Sequence, residues 1–408
     1  IYIDLFYIAI FIRWLFFIER RGKRVFLIVL DSFGVGAAPD ADVFGDVGSD
    51  TLGAVRKDEK FNCPNLKKLG LFNIEGIDGG TANPNSAYAK MQELSMGKDT
   101  TIGHGEIAGI VSSQPMPVFP DGFPAEVINK LEQSIGSKVL CNKVYSGTEV
   151  IKDYGAEHIK TGCPIVYTSA DSVMQIAAHE KVIPVERLYD ICGKARKIMT
   201  GKYGVGRIIA RPFIGEYPYQ RTANRHDFSL LPPSDTMLDI IKDGGLDVIS
   251  VGKIVDIFAG RGITEFYRTI DNKDGMRVTD EMVKRNFNGL CFINLVDFDM
   301  KFGHRNDVSG YANALSEFDE WLGGFLPKLK DDDILIITAD HGCDPSTPST
   351  DHSREYTPMI LFGSRIKSVN LGVREGFSDI SATVLEYFSL NHRETKGSSF
   401  LGECLKSE

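Results

Sequence analysis

The sequence predicts an α/β protein, a mostly parallel sheet covered by helices on both faces, with a separate α+β module inserted into it. Three observations carry that prediction. Continuous apolar runs end on acids, a long amphipathic stretch separates the last two of them, and proline clusters bracket a middle segment of different pattern.

The first run, VFLIVLD, follows Arg24 and has no polar alternation, so it reads as a strand buried on both faces. It ends on Asp31 and passes into the glycine turn SFGVG. The same grammar recurs in CFINLVDFD, ending at Asp299, and in ILIITADHG, ending at Asp340 and His341. LDVISVGKIVD and PMILFG are two further strand candidates. Between the last two acidic runs, Tyr311, Leu315, Phe318, Leu322 and Phe325 recur at spacings of four and three, which is one apolar helix face. Strand, helix, strand with buried runs implies right-handed crossovers and a parallel sheet. Ligands of such sheets gather outside the carboxyl ends of the strands, so three acidic ends point at one crevice.

The middle opens on PMPVFPDGFP and closes on SLLPPS. Inside are mixed signals, VINKLEQSI, PIVYTSADS and GRIIARPFIG. The expected division is a core of residues 23–115 and 233–408, an inserted module of residues 116–232, and an apolar leader of residues 1–22, with hinges at the proline clusters. Asp4 and Arg13 interrupt the leader, and its basic cluster follows the apolar stretch. A membrane span wants about 20 residues with few charges, and a signal peptide carries its basic residues first. It therefore reads as an appended leader, a membrane anchor being the lesser reading.

A chain of 408 residues with formal net charge −9 is not built mainly to hold nucleic acid or to coat an anionic membrane. Neither partner is expected. Seven scattered cysteines without a C-x-x-C pair suit reduced thiols in the cytoplasm. The glycines of GVGAAPD do not make a dinucleotide fingerprint, because Pro39 stands where the third glycine belongs.

Chemistry concentrates in the second half. DFDMKFGH contributes Asp299 and His304, ADHG contributes Asp340 and His341, and TDHS contributes His352. With Asp31 these make six candidate ligands, enough for two cations with positions left for substrate oxygens. A lone acid at a strand end is more often a helix cap, and the joint pattern outweighs that reading. Asp297 is a rival to Asp299, since period-two alternation would put both on one side of a strand. In MGKDTTIGH, Thr100 has no adjacent base in sequence. A cation that lowers the pKa of bound water from about 15.7 to about 7 would activate a threonine hydroxyl in the same way. Thr100 also opens a predicted helix, whose N-terminal amides favour phosphate, and Thr101 is the fallback nucleophile.

DSFGVGAAPDA, GKDTTIGH, VYTSADSVMQIAAHE, IARPFIG, NRHDF, NLVDFDMKFGHRND, ITADHGCDP and TDHSREYTP occur in one order, and in this the chain resembles the bacterial phosphopentomutases of the alkaline phosphatase superfamily from about Arg24 to about Leu401. The resemblance implies an alkaline-phosphatase-like core with an inserted cap. It implies one manganese ion on Asp31, Asp340 and His341, a second on Asp299, His304 and His352, and a phosphoryl group carried by Thr100. Ser169, Asp171, Arg207 and Lys253 would reach the pentose phosphate. Arg221 and Arg225 are further clamps on charge grounds, although single arginines are more often in surface ion pairs. The implied reaction interconverts ribose 1-phosphate and ribose 5-phosphate, and the deoxyribose pair, with glucose 1,6-bisphosphate or a pentose bisphosphate as activator. Carboxylate–imidazole sites accept several divalent cations, so manganese rests on the resemblance alone. Gly105 departs from the family's aromatic residue in TGHWE, and Cys343 from DHGND. The rivals are a phosphatase, a phosphodiesterase or a cofactor-independent phosphoglycerate mutase on the same core, or a binding protein without catalysis.

Overall fold

The computed structural model describes residues 22–169, 171–391 and 395–406. Apart from Gly22, the leader lies outside the described residues. Among the described residues no helix is long and apolar enough to cross a membrane.

The chain divides into two compact units, Gln114–Leu231 and the remainder. In the larger unit the strands β1 (Arg24–Leu30) and β2 (Ala87–Gln92) come first. The smaller unit then supplies β3 (Leu140–Val144), β4 (Ile165–Thr168), β5 (Val173–His179), β6 (Arg207–Ile214), β7 (Gln220–Arg221) and β8 (His226–Ser229). The larger unit resumes with β9 (Asp247–Val251), β10 (Glu265–Tyr267), β11 (Gly289–Leu295), β12 (Asp333–Thr338), β13 (Thr357–Phe362) and β14 (Val369–Glu375).

The large sheet has the order β10-β9-β11-β1-β12-β13-β2-β14. β1 is central and parallel to both neighbours, with Leu30 opposite Leu295 and Val29 opposite Thr338. All seven residues of β1 are buried. Phe26, Ile28 and Leu30 enter the hydrophobic cluster on one face, and Val25, Leu27 and Val29 the cluster on the other. An unbroken apolar run is what a strand covered on both sides requires. The helix Val308–Phe325 covers the first face with Tyr311, Leu315, Phe318, Leu322 and Phe325, all buried, as the spacing predicts. The smaller unit has its own sheet, order β3-β4-β5-β6-β7 with β8 also on β6, and its own two apolar clusters.

β13 runs antiparallel to both β12 and β2. An apolar run has no direction in sequence, and the reversal matters for the site. A strand that enters the sheet at the edge where β1, β11, β12 and β2 leave it brings the segment before it, His352–Tyr356, to that edge.

The sheet is fastened by Arg24, whose side chain is fully buried. Its Nε donates to Asp333 at 2.8 Å across the β1–β12 register, and its Nη1 donates to the carbonyls of Val283 and Arg285 at 2.9 and 2.7 Å. Arg24→Ala leaves a buried carboxylate without its counter-charge, and a loss of about 3–5 kcal/mol is expected in denaturant unfolding. Pairing Arg24→Met with Asp333→Leu should cost less than either change alone, because no charge is then stranded.

Candidate metal centre and nucleophile

The candidate ligands lie on the loops and turns around the carboxyl edge of the sheet. Asp31 is the residue after β1, and Ser32 beside it takes a left-handed φ of 70°. That conformation is uncommon outside glycine. It turns the Ser32 amide to Asp340 Oδ1 at 3.1 Å. β12 ends at Thr338, two residues before Asp340. Asn294, on β11, donates to Asp31 Oδ2 at 2.8 Å.

Asp299 is not at a strand end. β11 stops at Leu295, and Phe298–Phe302 is a π-helical turn. The sequence reading of CFINLVDFD as strand to Asp299 is corrected here, and with it the idea that Asp297 and Asp299 share a side. Helical rotation separates them. Asp297 Oδ2 accepts from the Asn272 amide at 2.9 Å and from Lys301 Nζ at 3.0 Å. Asp299 instead faces His304 Nε2 and His352 Nε2, both at 3.3 Å.

Two groups result, Asp31–Asp340–His341 and Asp299–His304–His352, and within each the donor atoms lie within 4.8 Å of one another. The rings of His341 and His352 stack at 3.9 Å between centroids, so the groups adjoin. His304 and His341 turn Nδ1 to backbone carbonyls, of Thr350 at 2.6 Å and Gly342 at 3.0 Å. That leaves Nε2 as the lone-pair nitrogen facing the acids, the tautomer a metal-binding imidazole needs. Asp31 Oδ1, Asp299 Oδ1 and Asp340 Oδ2 are buried without a hydrogen bond. Buried anionic oxygens without donors are costly unless a cation answers them. This donor set fits divalent cations.

The charges are mutually unfavourable as they stand. Asp31 is pushed up to about 7 by burial first and then by the neighbouring Asp340 and Asp299, against the pull of His341 and His104. Burial also acts on Asp340 and Asp299, yet adjacent imidazoles hold both well below the usual carboxylate range. Burial would depress His341, and Asp340 and Asp31 overcome it to raise its pKa.

Thr100 is the first residue of the helix Thr100–Ile107, and Asp99 caps that helix by accepting from the amides of Thr101 and Ile102. Capping and nucleophile readings are thus compatible. Thr100 Oγ1 lies 3.2 Å from His341 Nε2. The helix comes this close because Gly103 has no side chain: a Cβ there would stand 2.1 Å from the Asp340 carbonyl oxygen.

Sequence reasoning missed His104, one helical turn after Thr100. It is fully buried, with Nδ1 2.9 Å from the Thr100 carbonyl and 3.0 Å from Asp340 Oδ2. The i to i+4 spacing was the available signal. Of the two departures, Gly105 leaves open space, since a Cβ there meets nothing within 4 Å. Cys343 is buried and its thiol is pushed up by burial and by Asp299.

Lys253 follows β9, and its Nζ lies 3.0 Å from Met300 Sδ, beside Asp299. The other sugar-phosphate candidates lie in the smaller unit. Ser169 Oγ donates to Asp171 at 3.4 Å. Arg225 forks onto Asp227 at 2.8 and 2.7 Å, and Arg207 Nη1 stands 3.7 Å from the same acid. Arg221 lies on β7, where a Cβ on Gly147 would meet its Nη2 and, at 2.7 Å, the hydroxyl of Tyr167.

Acids and imidazoles gathered at the carboxyl edge of an α/β sheet are the mark of a metal-dependent enzyme, and residues 23–392 match the model of the Metalloenzyme superfamily. Within that class the chain is 60% identical over 389 residues to the phosphopentomutase of Lachnoclostridium phytofermentans, covering 94% of this chain and 100% of that one. It is 56% identical to the phosphopentomutase of Acetivibrio thermocellus and 53% identical to that of Clostridium novyi, each again over 94% and 100% of the two chains. The chain belongs to the phosphopentomutase family, and it is an isomerase.

Proposed function

We propose that the enzyme interconverts ribose 1-phosphate and ribose 5-phosphate, and their deoxyribose counterparts, through a phosphothreonine at Thr100 served by two divalent cations. The observation that carries this reading is the hydroxyl of Thr100 at 3.2 Å from His341 Nε2, beside two acid–imidazole groups that hold donorless buried oxygens. Bound at those groups, two cations supply neutralisation of phosphoryl charge and acidify the threonine hydroxyl. Manganese is the ion favoured by the family resemblance. The chain's own work is positional. Asp99 and the helix amides orient Thr100, His104 and the Ser32 amide orient Asp340, and Asn294 orients Asp31. Ser169, Asp171, Arg207, Arg221, Arg225 and Lys253 bind the sugar phosphate. A bisphosphate, glucose 1,6-bisphosphate or the pentose equivalent, recharges Thr100 after adventitious hydrolysis. The working compartment is the cytoplasm.

Phosphorus NMR of ribose 5-phosphate with enzyme, Mn²⁺ and a trace of glucose 1,6-bisphosphate tests this. A ribose 1-phosphate signal is expected, and steady release of inorganic phosphate alone would replace the mutase by a phosphatase.

Metal uptake should depend on pH with a definite sign. Asp31 is raised to about 7, so below that pH an incoming cation displaces a proton, and above it the carboxylate is already free. Apparent Mn²⁺ affinity is therefore expected to climb by about tenfold per unit for each proton released, with the Asp31 contribution ending near pH 7 and that of His341, whose pKa is raised, continuing above it. Calorimetric titration in two buffers of different ionisation enthalpy counts the protons; zero release at pH 6 refutes the assignment of Asp31.

A further inference from the structure

Arg354 lies two residues after His352 and is fully buried, with no part in the two ligand groups. Its guanidinium is saturated. Nε and Nη2 donate to the Asp40 carboxylate, Nη2 also donates to the Glu93 carbonyl at 2.7 Å, and Nη1 donates to Glu93 Oε2 at 2.6 Å. Nη1 reaches two more carbonyls, Ser95 at 2.9 Å and Gly97 at 2.7 Å. Three of these acceptors are backbone oxygens of the turn that leads from β2 to Thr100. The amides of that turn are held from the other side, since Glu106 accepts from Leu94 at 2.9 Å and from Ser95 at 2.6 Å. The backbone next to Arg354 is tied in turn to the metal loop: Ser353 and Gly342 exchange hydrogen bonds at 2.8 and 3.1 Å, and Gly342 follows His341.

We infer that Arg354 is a positioning residue for phosphoryl transfer, a guanidinium clamp that holds the Glu93–Gly97 turn, and through it the Thr100 hydroxyl, in register with the His341 and His352 loops. The inference rests on Thr100 being the phosphorylated residue. Only a planar fork with five N–H donors serves two carboxylates and three carbonyls at once; a lysine ammonium offers three donors from one nitrogen. Even a small displacement of a nucleophile from its line of attack slows the reaction steeply, on the order of 10²-fold for about 1 Å.

The test compares wild type with Arg354→Lys, which keeps the buried charge, and with Asp40→Asn, which loosens only the half-exposed side of the clamp. Four readouts are taken on the full chain: thermal unfolding, Mn²⁺ binding, amide exchange of residues 94–99 in the metal-free protein, and the rate of phosphothreonine formation from glucose 1,6-bisphosphate. In Arg354→Lys, a rate lower by about 10²-fold is expected together with faster exchange in the turn, while Mn²⁺ affinity and the KM for ribose 5-phosphate stay within about twofold. Asp40→Asn should shift the same two readouts in the same direction by less. Unchanged phosphorylation in Arg354→Lys overturns the inference alone. So does a parallel collapse of unfolding temperature, Mn²⁺ binding and rate in both variants, which is the signature of a purely structural residue. A wild-type chain that carries no phosphate on Thr100 overturns this inference and the proposed mechanism together.

Discussion

Thr100→Ala is expected to abolish sugar-phosphate isomerisation, by roughly 10⁴- to 10⁶-fold, as happens when a covalent nucleophile is removed from an otherwise intact site. The fold should survive, because Thr100 is only partly buried and the helix keeps its Asp99 cap. Intact-mass spectrometry after exposure to glucose 1,6-bisphosphate should then find no added phosphate, while Thr100→Ser retains both the adduct and part of the rate. Thr101→Ala supplies the contrast. It should still become phosphorylated, and loss of the adduct there with retention in Thr100→Ala would transfer the nucleophile one residue along.

Asp340→Asn carries the second large effect. Asp340 faces His104 and His341 at 3.0 and 3.2 Å through Oδ2 and receives the Ser32 amide on Oδ1, so one carboxylate gathers three elements and offers an oxygen to the first ligand group. An amide nitrogen in place of that oxygen removes charge and lone pairs together. Loss of residues that merely orient a ligand costs about 10–100-fold in metal affinity, and replacing the ligand itself should exceed that. Electron paramagnetic resonance of free Mn²⁺ should report two bound ions per chain in the wild type and one in Asp340→Asn. Asp297→Asn, whose carboxylate is engaged with Asn272 and Lys301, should keep both; a count of one there would reinstate Asp297 as a ligand.

What could be read from the sequence follows from how each feature is encoded. The strands around Asp31 and Asp340 and the helix Val308–Phe325 were legible because burial on two faces, or on one stripe, leaves a periodic trace. The six candidate ligands, which the structure gathers into two groups, were legible only as a joint pattern, since any one acid at a strand end is more often a helix cap. The turn carrying Asp299 was not, since a π-helical turn leaves no period of its own and DFD continues the look of the strand before it. The reversed direction of β13 was equally silent. Arg354, His104 and Asn294 act through partners 190 to 261 residues distant in the chain, apart from local contacts of His104, and no local pattern records such pairings. Arg354 in particular looks in sequence like any surface arginine beside an acid.

The central place of β1 has a consequence for synthesis. Both of its sheet neighbours are encoded far downstream, β11 beginning at Gly289 and β12 at Asp333. At about 5–20 residues per second, a ribosome needs on the order of ten to fifty seconds to make the first of them after Leu30 has emerged. Through that interval RVFLIVL, apolar throughout after its first residue, has neither hydrogen-bonding edge satisfied by its native partner, so the nascent chain must be shielded by a chaperone or by transient contacts until its last third arrives.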